Sequence, residues 1–598
     1  MRRGDAEAAL ASATYSASAQ IDTTWVEHAY IESEAGTAWP EGDGVAIRAC
    51  TQAPMMDRDE TARILGLPPE AVRIVPAATG GGFGSKLDVS LQPLIGLAAL
   101  KTGRPCRMVF SRAESMASTT KRHPGQMRAT IGTDAGGRIT AMTFDGTFDT
   151  GAYASWGPTV ANRVPVHASG PYRTPNYRAE ARAIHTNGPM AGAFRGFGVP
   201  QAAILQETIY DELAAKAGLD RLAFRRLNAL AEGETSVCGQ VMKGVGIAAC
   251  LDALLPEWKA AQDRARRVNG AGGRIRRGIG VASCWYGCGN TALPNPSTIK
   301  IGLTARGRVR LHQGAVDIGQ GSNTVIAQIA ADALGLPLAD IDLVDADTAV
   351  TPDAGKTSAS RQTVVTGNAA LRAARALRAK ILALANLGPV AELSLKSGIL
   401  TVAGDDGNRR IALAELPADG EGFVLRAEET YDPPTSALDE NGQGVPYAVY
   451  GYGAQLAEVE VDCELGTVRV RRITAAHDLG RVINPLLAEG QIEGGIAQGL
   501  GMALMEDFVP GRTENLHDYL IPTVGDMPKI TTILIEVPDP EGPMGAKGLG
   551  EHALIPTAPA ILNAIADATG ARITRLPALP HRVLAAIRAA RGGDDTAG

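Results

Sequence analysis

At 598 residues the chain is too long for one compact core, so at least two domains are expected. Hydrophobic residues make up 45% and charged residues 20%, the balance of a folded globular protein rather than a disordered one. A net charge of −6 without a basic stripe argues against nucleic acid, and apolar runs such as Leu94–Leu100 fall far short of the ~20 residues a bilayer span needs.

The N-terminal stretch MRRGDAEAALASATYS is charged but lacks the apolar segment of a secretory signal. The seven cysteines form no C-x-x-C pair and no iron–sulfur spacing; Cys284 and Cys288 are the one close pair. A reduced, cytoplasmic protein without its own iron–sulfur cluster is expected. The 70 glycines have no period and alternate with apolar segments, which points to backbone wrapped closely around something large.

In chain order, Trp25–Glu34 reads as strand or loop, and Ile47–Gln52 as a strand ending in polar Thr51 and Gln52. Met56–Leu65 reads as an amphipathic helix, Val72–Pro76 as a strand and Val89–Thr102 as a helix. Between the last two lies TGGGFGSK, Thr79–Lys86, a glycine turn that presents N–H groups to an anion. Hairpins are expected over Met127–Thr150, Ile299–His312 and Ala457–Thr474, each with a glycine turn. Helices are expected over Ala202–Ala217, Thr324–Leu336, Asn368–Asn386, Gln491–Leu504 and Pro580–Arg591. Strand–helix mixing with antiparallel hairpins gives an α+β class. Charge and glycine concentrate in EWKAAQDRARRVNGAGGRIRR, so the chain divides into a first domain 1–256, a linker 257–277 and a second domain 278–598. A softer break covers Gly404–Glu421, and the polar Thr430–Val445 reads as either an ordered loop or a linker.

The stretch GAKGLGEHALIPTAPAILNAIAD, Gly545–Asp567, carries one carboxylate poised for chemistry, Glu551. Three glycines precede it, and Thr557 as N-cap with Pro559 is expected to open the following helix. That puts Glu551 on a tight loop where a general base can reach a bound reactant. Five further polar segments stand out: Thr51–Gln52, Gly80–Lys86, Ala193–Gln201, Ile318–Thr324 and Gly490–Gly501. Each alone is explained by a turn. Together, Gln, Arg, Ser and Glu on glycine loops suit one large, anionic, polar ligand held between domains.

As a set, in this order, the six segments resemble those of the molybdenum-binding catalytic subunit of the xanthine dehydrogenase and aldehyde oxidase family, the molybdenum hydroxylases. The resemblance runs through nearly the whole chain. It implies two large molybdopterin-binding domains with the cofactor at their interface. Gln52 matches the glutamine that bonds the molybdenum oxo ligand, and Gly82, Phe83 and Gly84 match the glycine loop over the metal. Arg195 matches an arginine whose backbone lies beside the metal. Gln320, Gly321 and Gln498 match pterin and phosphate contacts, Ala359 and Ser360 a pterin contact loop, and Glu551 the general base. No side chain is assigned as a metal ligand, because molybdenum is held through the pterin. The cofactor implied is a molybdenum–molybdopterin, the cytosine dinucleotide form in a bacterial host. The reaction implied is hydroxylation, with water-derived oxygen, of an electron-poor carbon in an N-heteroaromatic (nicotinate- or purine-like) or an aldehyde. An iron–sulfur subunit and an FAD subunit are the implied electron acceptors, in a dimer of heterooligomers.

Three matched positions bear on substrate. Arg163 matches an arginine that purine enzymes use, Phe197 matches one of two stacking phenylalanines, and Leu87 stands where those enzymes carry glutamate. The second phenylalanine is absent near Gly289, with Trp285 or Tyr286 as substitutes, so an anionic or neutral aromatic N-heterocycle, nicotinate-like, fits the pattern better than xanthine. The absence of a cysteine on the loop before Phe194 argues against carbon monoxide oxidation. The chain begins about where the family's small hammerhead domain would end, which suggests a separate chain for that domain or a truncated product. Two rivals remain: a non-catalytic paralogue that binds cofactor or partners, and a nicotinamide-linked dehydrogenase suggested by GLGEHA after the strand Ile530–Val537, although Pro538–Met544 and Pro556 interrupt that fingerprint.

Overall fold

The computed structural model describes residues 1–405 and 407–592. Residue 406, inside the softer break at 404–421, and residues 593–598, the tail of the expected second domain, lie outside the described residues. The class is α+β, as the hairpins and helices indicated, with the described residues arranged in five sheets.

The sheet that organises the molecule pairs Ile275–Gly287 with Tyr450–Asp462 antiparallel, from Ile275 opposite Asp462 to Gly287 opposite Tyr450. Val468–Asp478 joins it antiparallel and Lys529–Ile535 joins parallel. From Gly278 to Gly287 every residue of the first strand is buried, so GIGVASCWYG has no polar face and no alternation. Helices Val199–Lys216, Ile247–Gly270 and Thr557–Thr569 cover this sheet, and Ile204, Leu251, Val281, Tyr452 and Ile565 share one core. Residues from both halves of the chain therefore bury one another.

Two glycines fix how the last of these helices lies. A Cβ on Gly278 would fall 1.9 Å from the Ala564 carbonyl oxygen, and one on Gly280 would fall 2.1 Å from that of Ala560. Only bare backbone lets the Thr557–Thr569 helix sit so low on the strand. Because that helix begins six residues after Glu551, its seat also sets the depth of the Glu551 turn.

A five-stranded sheet in the first half runs in the order Arg2–Arg3, Asn176–His185, Ile139–Gly151, Gly125–Thr133, Tyr15–Asp22. A four-stranded sheet, Val72–Pro76, Gly44–Ala49, Ala35–Glu41, Cys106–Val109, carries Thr51 and Gln52 just beyond its second strand. In the second half, helices Ser322–Leu334 and Gly367–Ala385 pack through Ile326, Ala370 and Leu377 on the sheet Ile341–Asp345, Val309–Gln313, Ser297–Thr304, Phe423–Tyr431.

Three readings need correction. The expected linker 257–277 is the end of the Ile247–Gly270 helix followed by the start of a strand. Trp258, Ala261 and Ala265 form a buried stripe at helical spacing, and the surrounding charges lie on the solvent face. The softer break at 404–421 contains the strand Gly407–Ala412, which pairs with Ile399–Gly404. Thr557 does not cap its helix; it is buried, and its hydroxyl donates to Gln455 Oε1 at 2.7 Å.

Replacing Gly280 with alanine is expected to cost ~1–3 kcal/mol through overpacking, seen as a lower Tm. Gly490→Ala, on an exposed helix position with no atom within 4 Å of the new methyl, should leave the Tm unchanged or raise it.

Candidate active site

The six polar segments, five of them glycine-rich, converge on one cavity of about 740 Å³. Its wall includes Gln52, Phe83, Gly84, Arg195, Phe197, Gln320, Ala359, Ser360, Gln498 and Glu551, residues drawn from both halves of the chain. Gly82 sits one residue behind the wall, where a Cβ would fall 2.4 Å from Gln52 Oε1. Gly321, the residue before the Ser322–Leu334 helix, faces Leu487 rather than the cavity.

Glu551 is 7% exposed and held from two directions. The Gly196 N–H donates to its Oε1 at 3.0 Å, and the Ser360 hydroxyl donates to its Oε2 at 3.2 Å. Ser360 Oγ also accepts from the Glu551 N–H at 3.0 Å. Successive turns, Leu554 N–H to the Glu551 carbonyl and Ile555 N–H to that of His552, carry the chain into the helix.

The loops are tied to one another rather than to solvent. Gln52 accepts from the Gly84 N–H at 2.9 Å and donates to the Thr357 carbonyl at 2.8 Å. One amide N–H of Gln52 is thereby left for the cavity. Buried Lys86 donates to Glu32 Oε2 at 2.7 Å, and so does the Gly80 N–H, which closes the glycine turn. Arg195 donates to the Gly550 carbonyl, to Gln498 Oε1 at 3.2 Å and to the Gln491 carbonyl at 3.0 Å. Gln320 spends its amide inside its own loop, accepting from the Ile318 N–H at 2.6 Å and donating to Ser322 Oγ at 2.8 Å. The N–H groups of Gly319, Gly321 and Asn323 donate to the Asp317 carboxylate.

Backbone strain concentrates here. Ala29, Phe83, Phe197, Ala359 and Ser360 all line the cavity, and all are non-glycine residues with φ between 48° and 54°. Such conformations cost of order 1–3 kcal/mol each and persist where the surroundings impose them. A π-turn, Gln362–Thr366, follows the Ala359–Ser360 pair directly.

The expected substrate positions divide. Phe197 lines the cavity, with Trp156 edge-on at 6.4 Å between ring centroids. Leu87 is 2% exposed and packs with Ala53, Val160 and Phe197, behind the wall. Arg163 is also behind it: the guanidinium donates to the Gly287 carbonyl at 3.2 Å and to that of Gly289, and lies 4.6 Å from the Tyr286 ring. Two carbonyls and an aromatic face hold this guanidinium on the Gly287–Gly289 turn, while its Nε is buried without a protein partner. Of the two suggested aromatic substitutes, Trp285 is stacked on Tyr450 at 5.0 Å in the core. Tyr286 is fully buried beside Glu551, and burial first, then that carboxylate, holds its hydroxyl proton well above the usual range.

Two ionisable groups on the wall were not among the expected site residues. Lys547 is fully buried, paired with Asp478, and donates to the Gly244 carbonyl at 2.6 Å. Glu506 is 5% exposed, accepts from the Tyr519 hydroxyl at 2.7 Å, and has its carboxyl pushed up to about 8 by burial. Among the described residues no group of three or more His, Cys, Asp or Glu is placed to hold a metal ion, and no helix is long and apolar enough to cross a membrane.

A large cavity walled by loops from both halves of the chain, with a clamped carboxylate on its wall, defines a protein that binds a sizeable ligand or cofactor. Family models described as molybdopterin cofactor-binding domains match residues 1–229 and 252–528. The xanthine dehydrogenase molybdenum-binding subunit of Escherichia coli O157:H7 is 32% identical over 98% of this chain and 78% of its own length. The solved aldehyde oxidoreductase of Desulfovibrio gigas superposes with a TM-score of 0.90 at 31% identity, over 98% of this chain and 63% of that one. Quinoline 2-oxidoreductase of Pseudomonas putida 86 superposes with a TM-score of 0.87 at 26% identity, over 98% and 78%. The chain belongs to the molybdenum-dependent xanthine dehydrogenase and aldehyde oxidoreductase family, and carries its two molybdopterin-binding domains.

The wall fits such a cofactor. Gly319 and Gly494 line the cavity with no atom within 4 Å of where a Cβ would stand, so a side chain at either would project into the space left for ligand. The hydroxyl of Ser358, also on the wall, is buried without a protein partner.

The high Glu506 value has a consequence for stability. The folded carboxyl titrates near 8 against an ordinary 4.5, so between those values the folded state binds more protons than the unfolded one and stability falls as pH rises. Glu506→Gln removes that loss, so its stability relative to the native protein should grow by a few kcal/mol from pH 4.5 to 8, at about 1.4 kcal/mol per pH unit. Urea titrations at several pH values read this difference, and a pH-independent one would contradict it.

Proposed function

We propose that this chain is the catalytic subunit of a molybdenum hydroxylase that hydroxylates an electron-poor carbon of a neutral N-heteroaromatic or an aldehyde with water-derived oxygen. The observation that carries the reading is Glu551: a nearly buried carboxylate on the cavity wall, aimed by the Gly196 N–H and the Ser360 hydroxyl. When bound, the molybdenum–pterin supplies a Lewis-acidic redox centre. Gln52 would hold it with its remaining amide N–H, and Arg195 and Gln498, which brace each other on the cavity wall, would hold the pterin. Glu551 takes the proton that the attacking oxygen loses, and both donors keep the carboxylate pointed at that oxygen while it is charged. Phe197 supplies a flat apolar wall for the substrate.

The clamped Arg163 removes the cation on which a nicotinate-like preference rested, so the reading favours neutral rings and aldehydes over anionic ones. The aldehyde oxidoreductase and quinoline 2-oxidoreductase among the structural neighbours are in keeping with this. The cofactor is proposed in its cytosine dinucleotide form, and the acceptors as iron–sulfur and FAD subunits in a cytoplasmic complex. The name of the E. coli relative, a molybdenum-binding subunit, supports a multichain assembly.

Glu551→Gln is expected to lower turnover of benzaldehyde or quinoline by at least ~100-fold, with molybdenum content by elemental analysis unchanged. Loss of metal, or full activity with metal retained, would contradict the proposal.

A further inference from the structure

Arg122 is 2% exposed and makes no ion pair among the described residues. Among the described residues its one side-chain hydrogen bond runs from Nη2 to the Arg195 carbonyl oxygen at 2.8 Å, while Nε and Nη1 have no partner. The peptide that accepts this bond, Arg195–Gly196, is the one whose N–H donates to Glu551 Oε1 at 3.0 Å. A buried cation is thus coupled to the carboxylate through a single amide: it draws charge toward the carbonyl oxygen and strengthens the N–H on the other side.

Both ends of this relay are fixed. The Arg122 N–H donates to the Val26 carbonyl at 2.8 Å, and the Gly192 N–H donates to the Lys121 carbonyl at 3.0 Å, so the segment bearing Arg122 is laced to the one leading into Arg195. The guanidinium lies 3.9 Å over the Phe194 ring, which stacks with His28 at 4.1 Å. His28 is kept neutral, burial moving its imidazole down to about 3.

We propose that Arg122 is a positioning residue that strengthens the Gly196 N–H bond to Glu551 and so keeps that side chain directed into the cavity, by acting through the Arg195–Gly196 peptide. This rests on the reading of Glu551 as the base. The other charged or titratable groups facing Glu551 are Arg195, Arg163, Tyr286, Tyr447 and Cys288. Those facing Arg122 are Glu506, Tyr519, Tyr286, His28 and His123. None of these makes the peptide-bridged contact.

The test compares the native complex with Arg122→Gln, which keeps a donor but not the charge, and Arg122→Lys, which keeps the charge at shorter reach. Two readouts are used: the pH profile of kcat/KM, and the infrared carboxyl band of Glu551, assigned by difference from Glu551→Gln. For Arg122→Gln, the acid limb of the profile and the carboxyl titration should both move up by about one pH unit, with lysine restoring about half of that shift. Molybdenum content should stay at the native level. A merely structural Arg122 would lower yield or thermal stability without moving either titration, and that result would overturn the proposal. If Arg122→Gln does not fold, an unshifted Arg122→Lys overturns it alone. If Glu551→Gln stays active, the base reading fails, while the infrared titration still decides whether Arg122 governs the carboxylate.

Discussion

Three residues far apart in sequence meet at one carboxylate. Gly196 and Ser360 donate to Glu551 across 355 and 191 residues of chain. A carboxylate removed from water is costly unless its oxygens are bonded, so these contacts exist only when both halves of the molecule have closed on each other. The shared core beneath, where the Thr557–Thr569 helix lies on the bare backbone of Gly278 and Gly280, holds that closure in place. Global packing and local chemistry are therefore coupled through one short turn.

The rest of the wall follows the same logic of loops bonding loops. Gln52 joins the glycine turn to the Thr357 segment, Arg195 joins the 193–201 loop to the Gly490–Gly501 and Gly548–Ala553 loops, and Lys86 closes its own turn onto Glu32. The strained φ values at Phe83, Phe197, Ala359 and Ser360 are tolerated because neighbours on several sides fix those residues. A cavity built this way is largely preformed, which suits a large rigid cofactor and leaves little reorganisation when charge develops.

Much of this was legible in the sequence, for physical reasons that differ by residue. The strand Val72–Pro76 has the bounds its pattern suggests, because the β-branched Val72, Ile74 and Val75 stop at Pro76, ahead of the glycine run that starts at Gly80. Glycine clusters marked five of the six cavity segments, and Gln52 at a strand end marked the sixth. What failed depended on partners distant in sequence. Arg163 resembled a substrate contact, yet its direction is set by the carbonyls of Gly287 and Gly289. Residues 257–277 looked like a linker because charge and glycine masked a three-residue apolar stripe. Glu506, Lys547 and Arg122 sit beside or within recognised segments, but only their burial reveals them as unusual.

The most direct test of the central claim is the position of molybdenum in crystals of the purified complex, located by anomalous scattering at the molybdenum edge. The account predicts a single metal in the cavity between the Gln52 amide and the Glu551 carboxylate, with that carboxylate still bonded to the Gly196 N–H. Metal outside this cavity, or a Glu551 side chain turned away from it into solvent, would contradict the account.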